Sequence, residues 1–220
     1  MAPPARSPQP RPHGGRILGI LGAGRQALET SGYCAEVGLT PVFFVEEARA
    51  ATGGDGRGFS APIVSFEALT ADQFATPVIS AVGQPEVRAT LIALWRGSAF
   101  ATLVSPHAWL AQDAVIGAGT TIAPHAALNR LVTIGAHVLV NVGAILSHDV
   151  SVGDFATISP GCVVGGCVSI GESSFLGIGV TVRDHITIGR GAFVAAGALV
   201  IADVADGESV RGVPARVVAR

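Results

Sequence analysis

The chain has 220 residues, of which 49% are hydrophobic and 14% charged, with a net charge of −2. This much apolar material can form a core without cross-links. All fourteen basic residues are arginines scattered along the chain, so no basic patch indicates a nucleic-acid partner.

Residues 1–15 are rich in proline and arginine and lack the apolar core of a secretion signal, so we expect a disordered leader. No segment stays apolar for the roughly eighteen residues that a membrane span needs. The cysteines Cys34, Cys162 and Cys167 form no C-x-x-C pair, which argues against disulfides and structural zinc. We therefore expect inert thiols, no metal, no membrane partner and a cytoplasmic location.

Residues 16–98 are predicted to form a small α/β domain. The segment RILGIL (16–21) predicts a strand that ends in the glycine-rich turn 22–27, before a helix over LETSGYCAEVG. Two more strands, PVFFVEE and PVISAVG, follow, and a helix begins after the segment 83–88. The domain is too short for two mononucleotide-binding halves, so we do not expect a dinucleotide redox enzyme.

The glycine-rich turn favours a nucleotide ligand. Glycines there allow backbone N–H groups to approach a phosphate at the positive end of a helix. Glu46 and Glu47 end the second strand and could accept a hydrogen bond from a sugar or base. The alternative is that the glycines only make a tight turn.

From residue 104 onward, an aliphatic residue recurs every six positions without a break. These seventeen residues are Val104, Leu110, Ile116, Ile122, Leu128, Ile134, Val140, Leu146, Val152, Ile158, Val164, Ile170, Leu176, Val182, Ile188, Val194 and Val200. A period of six fits a short strand followed by a sharp corner, and three such sides make an eighteen-residue coil. A β-sandwich with accidental spacing is the alternative, but it would lose this register.

Residues one predicted coil apart share their chemistry. The residue after the aliphatic on one side is always glycine: Gly117, Gly135, Gly153, Gly171 and Gly189. At the corners we expect small residues or residues that tolerate unusual φ angles. Periodicity does not give the handedness of the coil.

His148 is the candidate catalytic residue. It lies two places after Leu146, whereas His107, His125, His137 and His185 each lie three places after an aliphatic and are expected to be ordinary residues. Gly166 lies one coil further on, and stacked strands are about 4.8 Å apart. A neutral imidazole facing backbone N–H groups suits acyl transfer, with Asp149 raising its basicity.

Four motifs indicate a known family: ILGAG (20–24), VGQPEVR (82–88), NVGAILSHDVSVGDFATISPG (141–161) and GVPARVV (212–218). Through them the chain from residue 16 to 220 resembles the sialic-acid and bacillosamine-type sugar O- and N-acetyltransferases with hexapeptide repeats. The resemblance implies a mainly β fold, in which a left-handed parallel β-helix (99–205) follows a small Rossmann-like domain (16–98). It also implies a C-terminal tail (206–220) that packs on the helix.

The same resemblance implies a homotrimer with active sites between subunits, acetyl-CoA as donor and a nucleotide-linked amino sugar as acceptor. His148 becomes the general base, Asp149 its modulator and Gly166 the oxyanion-binding N–H. Ile178, Ala196 and Thr157 are assigned to CoA binding. The residues assigned to substrate binding are Asn141, Gly22, Gly24, Arg25, Gln26, Glu46, Gly83 and Gln84.

Three departures from the family leave the acceptor open. Arg25-Gln26 stand where relatives usually have Gly-His, Glu46-Glu47 stand where Asp is common, and Thr157 replaces a frequent His. The acceptor is a nucleotide sugar or a free amino or hydroxy compound, and the donor acetyl-CoA or a larger acyl-CoA. The alternatives from other classes are a metal-dependent hydratase and a non-catalytic trimeric nucleotide-binding scaffold.

Overall fold

The computed structural model describes residues 16–46 and 58–218. The predicted leader, residues 1–15, lies outside the described residues, as do 47–57 and 219–220. Within the described ranges, no helix is both long and apolar enough to cross a membrane. The chain forms a small α/β unit followed by a long coil of short strands.

The α/β unit is built on a parallel sheet of four strands in the order β3-β2-β1-β4. Its elements are β1 (Arg16–Leu21), α1 (Arg25–Glu36), β2 (Leu39–Val45), β3 (Ile63–Val64), a 3-10 helix (Phe66–Ala68), α2 (Ala71–Ala75), β4 (Val78–Ser80) and α3 (Pro85–Leu94). The buried side chains of β1, β2 and β4 form its core. Because all four strands are parallel, their carboxyl ends meet at one edge.

The elements predicted for this unit are present with shifted ends. Helix α1 begins at Arg25, three residues before the predicted start, so Arg25 and Gln26 form its first turn. The sequence analysis missed β3 and the short helix α2, which have too few residues for a periodic pattern. A capping box fixes the start of α2: Thr70 Oγ1 accepts from Gln73 N at 3.3 Å, and Gln73 Oε1 accepts from Thr70 N at 2.9 Å.

The second half of the chain consists of two-residue strands. They are β5 (Leu103–Val104), β6 (Trp109–Leu110), β7 (Val115–Ile116), β8 (Thr121–Ile122), β9 (Ala127–Leu128), β10 (Thr133–Ile134), β11 (Leu139–Val140), β12 (Ile145–Leu146), β13 (Ser151–Val152), β14 (Thr157–Ile158), β15 (Val163–Val164), β16 (Ser169–Ile170), β17 (Phe175–Leu176), β18 (Thr181–Val182), β19 (Thr187–Ile188), β20 (Phe193–Val194) and β21 (Leu199–Val200). Every aliphatic residue of the predicted period is the second residue of one strand. The six-residue period is therefore confirmed.

These strands stack into three parallel sheets that form the sides of a β-helix. The five-stranded sheet contains β7, β10, β13, β16 and β19, and the six-stranded sheet contains β6, β9, β12, β15, β18 and β21. The eight-stranded sheet contains β5, β8, β11, β14, β17 and β20, and ends in β22 (Ser209–Arg211) and antiparallel β23 (Arg216–Val217). From β5 to β21, paired strands are eighteen residues apart, and the inward aliphatic residues form one continuous core.

The corner glycines serve two separate purposes. A Cβ on Gly153 would lie 2.5 Å from the backbone nitrogen of Glu172 in the next coil, so glycine is required there by space. The left-handed φ angles occur two residues later in each corner, as at Asp149 (φ 60°) and Cys167 (φ 57°). Small size and tolerance of unusual φ are thus needed at different positions.

The three outer faces of the β-helix differ in chemistry. The α/β unit covers the first coils of the eight-stranded sheet, where Leu103, Thr121, Leu139 and Thr157 are buried. The five-stranded sheet exposes Val115 and then only hydroxyl side chains, from Thr133 to Thr187. The outward residues of the six-stranded sheet are Trp109, Ala127, Ile145, Val163, Thr181 and Leu199, of which the apolar Trp109, Ile145 and Val163 and the polar Thr181 are exposed.

Arg88 of α3 fastens the α/β unit to the β-helix. Its side chain is 1% exposed and donates to acceptors on both sides of the junction. These acceptors are the carbonyls of Val82, Gly83, His137, Phe155 and Ala156 and the hydroxyl of Thr157. Burial lowers the pKa of Arg88 to about 10, which leaves it charged at neutral pH.

His137 lies beside this junction and has a structural environment, as the sequence analysis expected. Its ring stacks on Phe155 at a centroid distance of 5.1 Å and meets the edge of Phe100 at 4.6 Å. Burial, and then the charge of Arg88, lower the pKa of His137 below its usual value. The neutral imidazole therefore packs as an aromatic side chain.

Replacing Arg88 tests the junction. In Arg88→Lys, one ammonium cannot reach six acceptors, so buried carbonyls lose their donors. We expect the free energy of unfolding to fall by about 2–4 kcal/mol in chemical denaturation. The exposed residue Arg96 provides the control, because Arg96→Lys should change stability by less than about 0.5 kcal/mol. Equal stability of the two variants would contradict a clamping role.

Candidate active site

His148 and Asp149 lie at a corner between the six-stranded and five-stranded sheets, directly after β12. Gly166 and Cys167 occupy the same corner one coil further on, after β15. The Cys167 N–H donates to the His148 carbonyl oxygen at 3.0 Å, which locks the two coils together. The predicted juxtaposition of His148 and Gly166 is present in the structure.

The His148 ring lies flat against the space that Gly166 leaves. A Cβ on Gly166 would be 2.6 Å from His148 Cε1 and 2.7 Å from Nε2, so any other residue would push the ring away. The side chain of His148 is 61% exposed, and its Nδ1 lies 2.8 Å from Asp149 Oδ2. When Nδ1 donates to this carboxylate, Nε2 carries a lone pair and can accept a proton.

Gly166 is a buried residue, and its backbone amide differs in hydrogen bonding from those of its neighbours. Gly165 N donates to Val182 O and Cys167 N donates to His148 O, but Gly166 N has no acceptor among the described residues. A free backbone N–H beside a proton acceptor is the pair of groups that acyl transfer requires. His148, Asp149 and Gly166 therefore form one local constellation.

The other residues assigned to the donor and acceptor lie at other corners. Asn141 is 8% exposed and lies between the eight-stranded and six-stranded sheets, where its Oδ1 accepts from Val142 N at 2.8 Å. Ile178 and Ala196 lie at that same corner in later coils, and Ile178 is 64% exposed. Their roles remain predictions, and in one chain they do not lie at the His148 corner.

Thr157 connects the α/β unit to the β-helix. Its hydroxyl is buried, donates to Gly83 O at 2.7 Å and accepts from Arg88 Nη2 at 2.9 Å. Both contacts of the Thr157 hydroxyl are made inside one chain, and neither involves a ligand. The assignment of Thr157 to CoA binding therefore remains a prediction.

The residues assigned to the nucleotide meet at the carboxyl edge of the α/β sheet. Gly22 N donates to Val45 O, and Ala81 N donates to Leu21 O, so the ends of β2, β1 and β4 are side by side. This edge brings Gly22, Gly24, Glu46, Gly83 and Gln84 to one side of the unit. Helix α1 begins here with Gly24 as its N-cap and no side-chain cap, which leaves its first N–H groups open to an anion.

Sequence reasoning missed two features near these residues. Cys167, expected to be inert, is exposed and belongs to a cluster with His148 and Asp149 whose polar atoms lie within 4.8 Å of one another. Gln84 and Glu86 help to line a groove of about 480 Å³, with the stacked rings of Phe175 and Phe193 on its other side. The eighteen-residue spacing of Asp149 and Cys167 was the signal that could have revealed the cluster.

Comparisons with known proteins match this architecture. The acetyltransferase domain of PglB from Neisseria gonorrhoeae superposes with a TM-score of 0.81 at 28% identity, over 93% of this chain and 100% of that one. A mutant of perosamine N-acetyltransferase from Caulobacter crescentus, in complex with CoA and GDP-perosamine, gives 0.82 at 27% identity, over 94% and 99%. No family model matches the chain, and no curated protein matches it.

The predicted resemblance to hexapeptide-repeat sugar acetyltransferases is confirmed. The prediction that this chain is an acetyltransferase is confirmed by the same neighbours. The mainly β fold is that of the left-handed β-helix acyltransferases, which supplies the handedness that periodicity left open. WeeI from Acinetobacter baumannii, at 24% identity and a TM-score of 0.79, supports the fold alone.

Two neighbouring glycines allow the predicted catalytic role of the His148 corner to be tested separately from folding. The methyl of Gly166→Ala would collide with the exposed His148 ring, which can swing away at little cost. We expect the rate of acetyl transfer to fall at least about tenfold while stability changes by less than about 1 kcal/mol. Steady-state kinetics and thermal unfolding measure the two effects.

Gly165→Ala is the matched control. Its methyl would lie 2.5 Å from the Asp184 backbone nitrogen, so this variant should lose stability, by about 1–3 kcal/mol. Full activity in Gly166→Ala would contradict the importance of the His148 ring position.

Proposed function

We propose that the enzyme transfers the acetyl group of acetyl-CoA to an amine or hydroxyl of a nucleotide-linked sugar, with His148 as general base. The observation that carries this proposal is the contact of Asp149 Oδ2 with His148 Nδ1 at 2.8 Å, which leaves Nε2 as the proton acceptor, 2.7 Å from the place where a Cβ on Gly166 would lie. Structural neighbours that hold acetyl coenzyme A, or CoA with GDP-perosamine, support the donor and the class of acceptor.

The reaction follows from the charges that these groups carry. The acceptor amine or hydroxyl attacks the thioester carbonyl and gives its proton to His148 Nε2. The carbonyl oxygen becomes an oxyanion, which the Gly166 N–H stabilises. When the tetrahedral intermediate collapses, the C–S bond breaks and the CoA thiolate takes the proton from the imidazolium. Asp149 holds the imidazole in the required tautomer throughout.

The α/β unit acts as a Rossmann-like domain for the acceptor. The open N-terminus of α1 suits a diphosphate, and Arg25 in its first turn adds a positive charge. Glu46 and Gln84, at the same edge, are placed to accept and donate hydrogen bonds to the sugar or base. The neighbour named as a perosamine N-acetyltransferase favours an amine as the acceptor group.

The active site is completed by a second subunit of a homotrimer. Arg88 and Thr157 hold the acceptor edge against the eight-stranded sheet, whereas His148 lies at the opposite corner of the same chain. The exposed apolar face of the six-stranded sheet, with Trp109, Ile145 and Val163, provides a surface that association would bury. Association would also bring the Ile178 and Ala196 corner of one subunit to the His148 of another.

The location that we propose is the cytoplasm. Cys34, Cys162 and Cys167 are all free thiols, as expected in a reducing compartment.

Loss of His148 tests the catalytic proposal. With acetyl-CoA and a panel of nucleotide amino sugars, the wild-type chain should acetylate at least one member, measured as product by mass spectrometry. His148→Ala should lower that rate by about 10²–10⁴-fold, because the proton acceptor is absent. His185→Ala, at the same corner two coils further on, should keep the wild-type rate. Equal rates for wild type and His148→Ala would refute the general base.

A charge on the apolar face tests the trimer. Val163→Glu places a carboxylate at the centre of the six-stranded face, where burial against another subunit would cost several kcal/mol. We expect this variant to sediment as a monomer while its circular dichroism stays unchanged. Ser169→Glu, on the exposed first position of the next strand, is the matched control and should sediment like wild type. Identical sedimentation of both variants would place the interface elsewhere.

A further inference from the structure

The His148 corner carries a third side chain that acetyl transfer does not use. Cys167 is exposed, and its sulfur lies within 4.8 Å of ligand atoms of both His148 and Asp149. An imidazole, a carboxylate and a thiol thus converge on one point of the surface. This donor set is one that proteins use for zinc.

The backbone of the β-helix holds the three residues in place. Asp149 and Cys167 occupy the same left-handed corner position one coil apart, with φ angles of 60° and 57°. Cys167 N donates to His148 O, and Asp149 N donates to Arg130 O, each at 3.0 Å. The three Cα positions are therefore fixed, while the exposed side chains can still rotate.

The spacing is close to what a zinc ion requires. With zinc–ligand distances of about 2.0–2.3 Å, ligand atoms in a tetrahedral site lie about 3.5 Å apart. Tetrahedral coordination would therefore require the side chains to move together by about an ångström. A thiolate and an imidazole select zinc over magnesium or calcium, which prefer oxygen ligands.

The charges around the cluster also favour a cation. Asp149 contributes a carboxylate, and Cys167 contributes a thiolate after metal binding releases its proton. Arg130 lies one coil before His148 and forms an ion pair with Asp113, with Nε 2.6 Å from Asp113 Oδ2. In the next coil after Cys167, His185 lies 3.8 Å from Asp184 and is not within the 4.8 Å cluster.

We propose that His148, Asp149 and Cys167 form an inhibitory zinc-binding site, with water as the fourth ligand. Zinc bound to Nε2 would occupy the lone pair that takes up the proton of the sugar amine or hydroxyl. Zinc on Nδ1 would force the remaining proton onto Nε2, with the same consequence. Zinc binding follows from the cluster alone, whereas inhibition rests on the proposed function of His148.

Binding is tested with untagged protein and Zn²⁺ in isothermal titration calorimetry. The wild-type chain should bind one ion per chain at this site. Cys167→Ser should raise the dissociation constant for zinc by about tenfold or more. His185→Gln, which removes a neighbouring histidine outside the cluster, should bind like wild type. With Co²⁺ as a probe, the wild type should show a thiolate-to-cobalt charge-transfer band that Cys167→Ser lacks.

Inhibition is measured as loss of acetylated product at buffered free Zn²⁺, because the released CoA thiol itself binds zinc. Wild type should lose activity over the concentration range in which calorimetry shows binding, and a chelator should restore it. Cys167→Ser should keep its metal-free rate and need about tenfold more zinc for the same loss.

Three results would overturn the zinc site: no binding, equal binding by wild type and Cys167→Ser, or an effect of His185→Gln as large as that of Cys167→Ser. If zinc bound at the cluster while turnover stayed undiminished, the proposal that zinc inhibits the enzyme would be wrong. Binding by a chain that shows no metal-free turnover with any acceptor would support the site while counting against the proposed function. The two proposals therefore fail in different ways.

Discussion

The stacking of one eighteen-residue coil directly on the next is the constraint on which the rest of the structure depends. From β5 to β21, each two-residue strand pairs with a strand eighteen residues away in a neighbouring coil, so these coils must keep the same length. The glycines after the strands allow the corners to approach closely, as Gly153 and Gly171 do. Because residues eighteen apart are stacked, the same constraint places Gly166 against His148 and Cys167 above Asp149.

The junction between the α/β unit and the β-helix determines where we expect the sugar substrate to bind. Arg88 and Thr157 hold the carboxyl edge of the α/β sheet against the eight-stranded sheet, away from the His148 corner. A chain with this geometry presents the proposed proton acceptor, His148, on one side and the proposed sugar-binding edge on another. Association through the apolar six-stranded face would reunite them, which links oligomerisation to catalysis.

The sequence predicted the β-helix well because its period leaves no freedom: one inserted residue would turn aliphatic side chains outward. It predicted the contact of His148 with Gly166 for the same reason. The period did not give the handedness of the coil, but the family resemblance implied a left-handed coil and the structural neighbours support it. The role of Arg88 and the cluster around Cys167 depend on contacts between distant segments, which no local pattern of residues records. The start of α1 differs from the prediction because helix starts depend on backbone geometry, here at Gly24.

Mixing two inactive variants tests most directly whether the active site is shared between subunits. His148→Ala removes the base, and Gly24→Asp places a carboxylate where the diphosphate would bind, at a position with free space around its Cβ among the described residues. Each variant alone should be inactive, but trimers refolded from an equal mixture should recover roughly one quarter of the wild-type rate, because that fraction of sites pairs an intact base with an intact edge. A mixture as inactive as its components would show that each chain holds a complete site and would contradict the account.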